Sequence, residues 1–539
     1  MKIKVYQIII IIIVIISFLF YFALLRKNTD AKQILVSNDT ANLTSIGEVN
    51  NTQQKEVWSN ELDNKTQDTG LDKADEILQK EVLNDELENK TQETLKVLVL
   101  EFDPILKTKG NIKCSEFINV KGNNTSIIEE VLSDMEYSSN GYLNIETTWI
   151  DTNEFPRYTK EIDIITGKDA EGNDITSKSY SLNEETWLTI MQNGWYEGMI
   201  HPKKGEAGYK DWYKYVDQIT GFCFDYDYII DKYKLIEKRN NGEFDFVFLS
   251  LIEPGNAYEA MMVGRNAYWI NGSENTKYDC KFFPIIYANI VRKDTVFHSV
   301  GHMSECILSN VFDGNSVLNY NQNIIEVKND EDYNKLSLWQ KFTLCEYTLT
   351  SNSEKKYGLG NVHFPPNTVT SYDYTNNTKV LSNWKDWRDN YPNLKGVYEM
   401  TDSSAWLNEQ ATIGAQYPDR LHMRWWFKSM PHLVGRNEEG FLHNWWKYIS
   451  TMDYVQDIVP SNDSLTIKLG KNSNLLEYTC YYKSGDSKLF RTNKEAKVQD
   501  DSILEISPKG ELIGKRIGST YVKIWKDGKN CTITINVTE

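Results

Sequence analysis

Three kinds of hydrophobic pattern follow one another along the chain. The first is an uncharged apolar run from Ile8 to Leu25. As a helix those 18 residues would extend about 27 Å, close to one hydrocarbon core. In lipid every backbone donor and acceptor must pair internally, so the isoleucine-rich run is read as helix rather than strand. It ends "FYFALLRKN", without a small-x-small cleavage site, and no cysteine follows for lipid attachment. Residues 1–28 are therefore read as an uncleaved signal anchor in the lipid bilayer. The competing readings are a cleaved signal peptide, which wants a shorter apolar region, and a buried soluble helix, which 18 uncharged residues disfavour. Lys2 and Lys4 balance Arg26 and Lys27, so flanking charge does not orient the span.

Residues 29–94 lose the pattern. They are polar and acidic, without Pro or Cys, and "NELDNKTQDT" at 60–69 returns as "DELENKTQET" at 85–94. Two copies are too few for a solenoid, so this stretch is expected to be a solvated stalk.

The second pattern begins at "LKVLVLEFDPIL" (95–106) and recurs at "FDFVFLSLIEPG" (244–255). Short, continuous apolar runs of this kind predict strands covered on both faces. Helical stretches are expected at 284–312, 332–349 and 417–451. Residues 95–457 are thus predicted to form a large α/β or α+β module with a mainly parallel sheet. The third pattern, from 460 to 539, is period-two alternation broken by polar and glycine turns. It predicts a small antiparallel sandwich.

Composition narrows the function classes. The formal charge of −17 disfavours nucleic acid, which requires a basic surface. Seven cysteines without a CxxC pair argue against a zinc ribbon or a thioredoxin-like motif, and most are read as small buried hydrophobes. A bond between Cys480 and Cys531 is allowed only if the strands bring them together.

Within the tail, "DDSILEIS", "PKGELIG", "GSTYVKIW" and "CTITINV" succeed one another, and residues 500–537 closely resemble the C-terminal half of bacterial Ig-like group 2 domains. The resemblance implies an Ig-like sandwich over about residues 460–539. It also implies a bacterial surface or secreted protein, with residues 29–539 outside the cytoplasm. Residues 97–451, through "FDFVFLSLIEPGNAYEAMMVGRNAYWING", "HSVGHMSECIL", "GNVHFPPN" and "HNWWKYI", resemble a recurring central module of secreted bacterial proteins with Ig-like tails. That resemblance implies a location and no reaction.

Candidate chemistry centres on "FHSVGHMSECIL" (297–308). His298 and His302 are four apart and share a helix face, and Glu305 lies on the same side. Imidazole nitrogens and a carboxylate are ligands that zinc accepts, so these three are the candidate metal set. Ser299 stands where HExxH zinc peptidases carry their general base, and Gly301 weakens a helix by about 1 kcal/mol relative to Ala. The plainer alternative is a buried helix whose His and Glu satisfy one another. Glu259, in the glycine-flanked loop after the second strand, and His363, before the stiff Pro365–Pro366 pair, are candidates for general base. Glu253 and Asp373 are nearby acids. The tryptophans of 422–449 read as core more readily than as a sugar-stacking face.

Two functions follow as expectations. One is a membrane-anchored surface hydrolase that uses a metal-bound water on extracellular glycan or peptide. The other is a non-enzymatic surface protein that binds cell-wall or host glycan or protein through its aromatic-rich module.

Overall fold

The computed structural model describes residues 92–539 except 119–123, 192–216, 220, 290–294, 315–326, 349–354, 409–416, 474, 492–495 and 508–510. The anchor and nearly all of the stalk lie outside the described residues. Among the described residues no helix is long and apolar enough to cross a membrane.

The two apolar runs read as strands become neighbours at the centre of a sheet. Strand β1 (Glu93–Phe102) pairs in parallel with β2 (Leu143–Asp151) on one side and β3 (Phe246–Leu251) on the other. Beyond β3 come β5 (Phe283–Asn289), parallel to it, and the edge strand β4 (Ala260–Val263), antiparallel to β5. The order is β2-β1-β3-β5-β4. The described residues thus combine a mixed α/β region, whose sheet is mainly parallel, with a β-rich C-terminal region.

Alternation explains why β1 and β3 read as continuous apolar runs. Leu95, Val97 and Val99 of β1, with Phe246 and Phe248 of β3, enter one core layer. Leu98, Leu100 and Phe102, with Val247, Leu249 and Leu251, enter the other. Each face is covered, so neither parity can be polar.

The first layer is closed by α1 (Asn124–Ser138), α2 (Thr295–Asp313), α3 (Pro418–Lys428) and α4 (Trp445–Thr451). Helix α2 is buried continuously from Val296 to Val311, as a helix apolar on most sides must be. Trp425, Trp426, Trp445 and Trp446 are all in this core. Helix α3 is tied to α1 through Asp134, which accepts from Arg420 at 2.6 Å and also from Arg424.

Two sequence expectations are corrected. Residues 283–289 form β5, and helix begins only at Thr295; a short apolar run covered on both faces cannot be distinguished from buried helix by periodicity. The stretch 417–451 is not one helix. After α3, Pro431 is followed by a hairpin of His432–Arg436 and Leu442–Asn444, and helix resumes at Trp445.

The C-terminal region starts ahead of residue 460, at β6 (Val455–Pro460), which pairs with β8 (Glu477–Tyr482). Strand β7 (Ser464–Lys468) then crosses to the other sheet and runs parallel to the final strand, Lys529–Thr538. That final strand buries Cys531, Ile533, Ile535 and Val537 and turns the residues between them outward. All seven cysteines are buried and none is in a disulfide, Cys480 and Cys531 included.

Candidate metal centre

Helix geometry creates the first half of the site. Four residues apart on α2, His298 and His302 set their rings edge to face at a centroid distance of 4.5 Å. The second half comes from a loop 61 residues downstream: Nε2 of His363 lies 2.9 Å from Nε2 of His302. One nitrogen from each of the three imidazoles falls within 4.8 Å of the other two. His298 and His302 are each 3 % exposed.

Two carboxylates stand behind these rings. Nδ1 of His302 meets Glu305 Oε2 at 3.0 Å, and Nδ1 of His298 meets Asp419 Oδ2 at 3.1 Å. Each carboxylate favours a proton on Nδ1 and leaves Nε2 as the lone-pair donor. This is the arrangement by which metal-ligating histidines are held in one tautomer. Asp419 is in the first turn of α3, directly after Pro418, where an acid is also favoured by the helix dipole.

Glu305 has a second task. Its other oxygen, Oε1, accepts the backbone N–H of Val362 at 2.7 Å, so one carboxylate holds both His302 and the loop carrying His363. That loop is locked further. Asn361 Oδ1 accepts from the N–H groups of His363 and Phe364, both at 3.0 Å. Tyr374 donates to Val362 O at 2.9 Å and Trp426 to Gly360 O at 3.0 Å. Gly360 has φ +79°, and a Cβ there would stand 2.1 Å from Phe364 O, so only glycine makes the turn.

Glu259 approaches from the edge of the sheet, immediately before β4. Its Oε2 lies 3.7 Å from His302 Nε2, its side chain is 43 % exposed, and Asn271 donates to it at 2.5 Å. Tyr372 completes the surround, with its hydroxyl 2.9 Å from His363 Nε2.

The electrostatics divide the histidines. Burial opposes a charge on His298, but the Asp419 carboxylate and its hydrogen bond, with Glu259 and Glu305 beyond, outweigh it and lift the pKa to about 9. His363 is driven well below the ordinary histidine value by burial and then by the two neighbouring imidazoles. Deep desolvation with specific charge partners in one cluster is characteristic of functional sites.

The candidate residues sort by position. His298, His302 and His363 converge, with Glu259 at the rim. Glu305 lies on the far nitrogen of His302, away from the point of convergence. Glu253 is elsewhere, buried, accepting from Tyr287 at 3.0 Å, from Asn289 and from Gly255 N at 3.2 Å. His432 and His443 bond to Met430 O and Tyr391 OH instead. Sequence reasoning missed Asp419, Asn271 and Tyr372. Pro418-Asp419 does carry a helix-start signal, but nothing local points it at His298. No protein-family model and no curated protein matches this chain.

Proposed function

We propose that the α/β region is a metal-dependent hydrolase whose ion, zinc by ligand type, is held by His298, His302 and His363. The observation that carries this reading is the convergence of three imidazoles with carboxylates fixing two of them from behind. Tetrahedral zinc with ligands at about 2.0–2.1 Å places neighbouring donors about 3.3 Å apart. The 2.9 Å between His302 and His363 needs to open by only a few tenths of an ångström. A zinc ion held there would supply a water acidic enough to act near neutral pH. Glu259 does what the absent Glu of HExxH would do. Half-exposed and held by Asn271, it takes the proton of the attacking water and returns it to the leaving group.

The place of action is proposed from the sequence. The Ile8–Leu25 run anchors the chain, and the Ig-like resemblance of the tail puts residues 29–539 outside the cell, where glycan or peptide is the substrate. The alternative, a binding protein with an aromatic face, has less support because Trp425, Trp426, Trp445 and Trp446 are core residues.

Metal analysis of the purified full-length chain tests the reading. We expect about one zinc per chain, lost in His302→Ala, and hydrolysis of a peptide or peptidoglycan library that a chelator abolishes. A wild-type protein that takes up no stoichiometric metal at micromolar zinc sinks it.

A further inference from the structure

Tyr372 stands in an unusual conformation for its type. Its φ is +65°, in the left-handed region that bulky residues avoid. The surroundings impose it: the Tyr372 N–H donates to the carbonyl of His363 at 2.9 Å, closing the loop between them. Backbone held this way clusters at functional sites. The conformation lays the ring against the metal cluster, with centroids 4.5 Å from His363 and 5.7 Å from His298. It delivers the hydroxyl 2.9 Å from Nε2 of His363, the nitrogen that also faces His302.

Two vertices of a tetrahedron around zinc are about 3.3 Å apart. The Tyr372 oxygen therefore stands at nearly the spacing expected of a further vertex next to His363. His298 and His302 are buried and His363 is half-buried, whereas Tyr372 is 38 % exposed. Its vertex faces solvent, the direction from which substrate arrives.

We propose that Tyr372 is a displaceable fourth protein ligand of the site. It coordinates through its phenol oxygen when the site is at rest, releasing its proton to solvent, and yields its position to an incoming oxygen ligand. This rests on the three-histidine reading and adds to it a protein donor that is neither His nor carboxylate. Zinc sites that expand to five ligands during turnover can accommodate such an exchange. The closed state would also protect the ion while no substrate is present.

Copper(II) is the probe, because it binds nitrogen and oxygen sites more tightly than zinc and reports a phenolate ligand by a visible charge-transfer band. The full-length chain, stripped of metal and loaded with one equivalent of copper(II), should show that band together with nitrogen couplings in its paramagnetic resonance spectrum. Tyr372→Phe should keep the copper and the nitrogen couplings and lose the band. Adding acetohydroxamate, a bidentate oxygen ligand, should bleach the band of the wild-type protein. Nitrogen couplings without a band in the wild type, or a band that survives in Tyr372→Phe, overturns Tyr372 as a ligand and leaves the histidine site standing. A band that persists while hydroxamate binds overturns its displacement. Absence of nitrogen couplings removes the histidine site and this proposal together.

Discussion

A methyl group placed on Gly301 would lie 2.8 Å from Cγ2 of Val362. The glycine that weakens α2 is thus where the His363 loop rests on the helix, one residue before His302. Gly301→Ala would gain helix propensity of about 1 kcal/mol and lose this close approach. Met423 Sδ, also 2.8 Å away, is the end of a flexible chain and can move; the branched Val362 cannot move without carrying His363. We expect Gly301→Ala to fold and to bind zinc at least tenfold more weakly, as misplaced site geometry does. Competition with a chelating dye measures it, and unchanged affinity would show that the loop adapts.

Glu305 accepts from two fixed donors, Nδ1 of His302 and the N–H of Val362. Gln at this position has one acceptor and one donor, so one buried N–H is left facing an amide donor. An unsatisfied buried donor costs about 1–3 kcal/mol. We expect Glu305→Gln to lose about 10–100-fold in metal affinity while still binding through three nitrogens. X-ray absorption on the zinc-loaded variant distinguishes this from direct ligation. Loss of an oxygen from the first coordination sphere would return Glu305 to the ligand role the spacing suggested.

His422 gives the fold an acid-sensitive point. It is fully buried among Tyr374, Trp406 and Trp425, and neither ring nitrogen has a hydrogen-bond partner among the described residues. Burial, with His298 adding to it, depresses its pKa to about 3. The unfolded chain binds this proton near pH 6.5 and the folded chain does not, so stability falls as pH drops from 6.5 toward 3. The loss over that window is on the order of 3–5 kcal/mol. Thermal melts from pH 7 to 4 should show a shallower decline for His422→Phe than for wild type. Parallel curves would mean that His422 is solvated or paired.

Legibility followed the range of the interaction. The i,i+4 face of His298 and His302 is a property of one helix, and the spacing displayed it. His363 stood out through its proline-stiffened loop, but its arrival at Nε2 of His302 depends on Gly301, Gly360 and Asn361 acting across 61 residues. Asp419 reaches His298 across 121 residues, because Asp134 on α1 fixes α3 in place. No local pattern encodes that. The misreading of β5 has the opposite cause. "FPIIYAN" is buried on both faces, so its local pattern is present but ambiguous. In the tail, alternation with one wet face marked Leu504–Ile506, Leu512–Gly514, Gly518–Lys526 and Lys529–Thr538, but the short strands Ser487–Arg491 and Ala496–Val498 escaped it.

The junction between the two regions turns on Asp527. This buried carboxylate accepts from Arg436 at 3.0 Å, from the Tyr448 hydroxyl at 2.6 Å and from the N–H of Val455 at 2.9 Å. Two of these partners belong to the hairpin and helix before the tail, and the third opens its first strand. Gly440 packs beside them so closely that a Cβ would stand 2.4 Å from Trp525 O. A flexible tether would not bury its polar groups in this way, so the C-terminal region should melt together with the α/β region. Removing the carboxylate strands a buried phenol, a backbone N–H and part of a guanidinium charge, which costs about 3 kcal/mol or more. We expect calorimetry to give one cooperative transition for the wild type. Asp527→Ala should lower it and split it into two, the smaller from the C-terminal region. Two transitions already present in the wild type, unmoved by Asp527→Ala, would show that the buried clamp does not couple the regions.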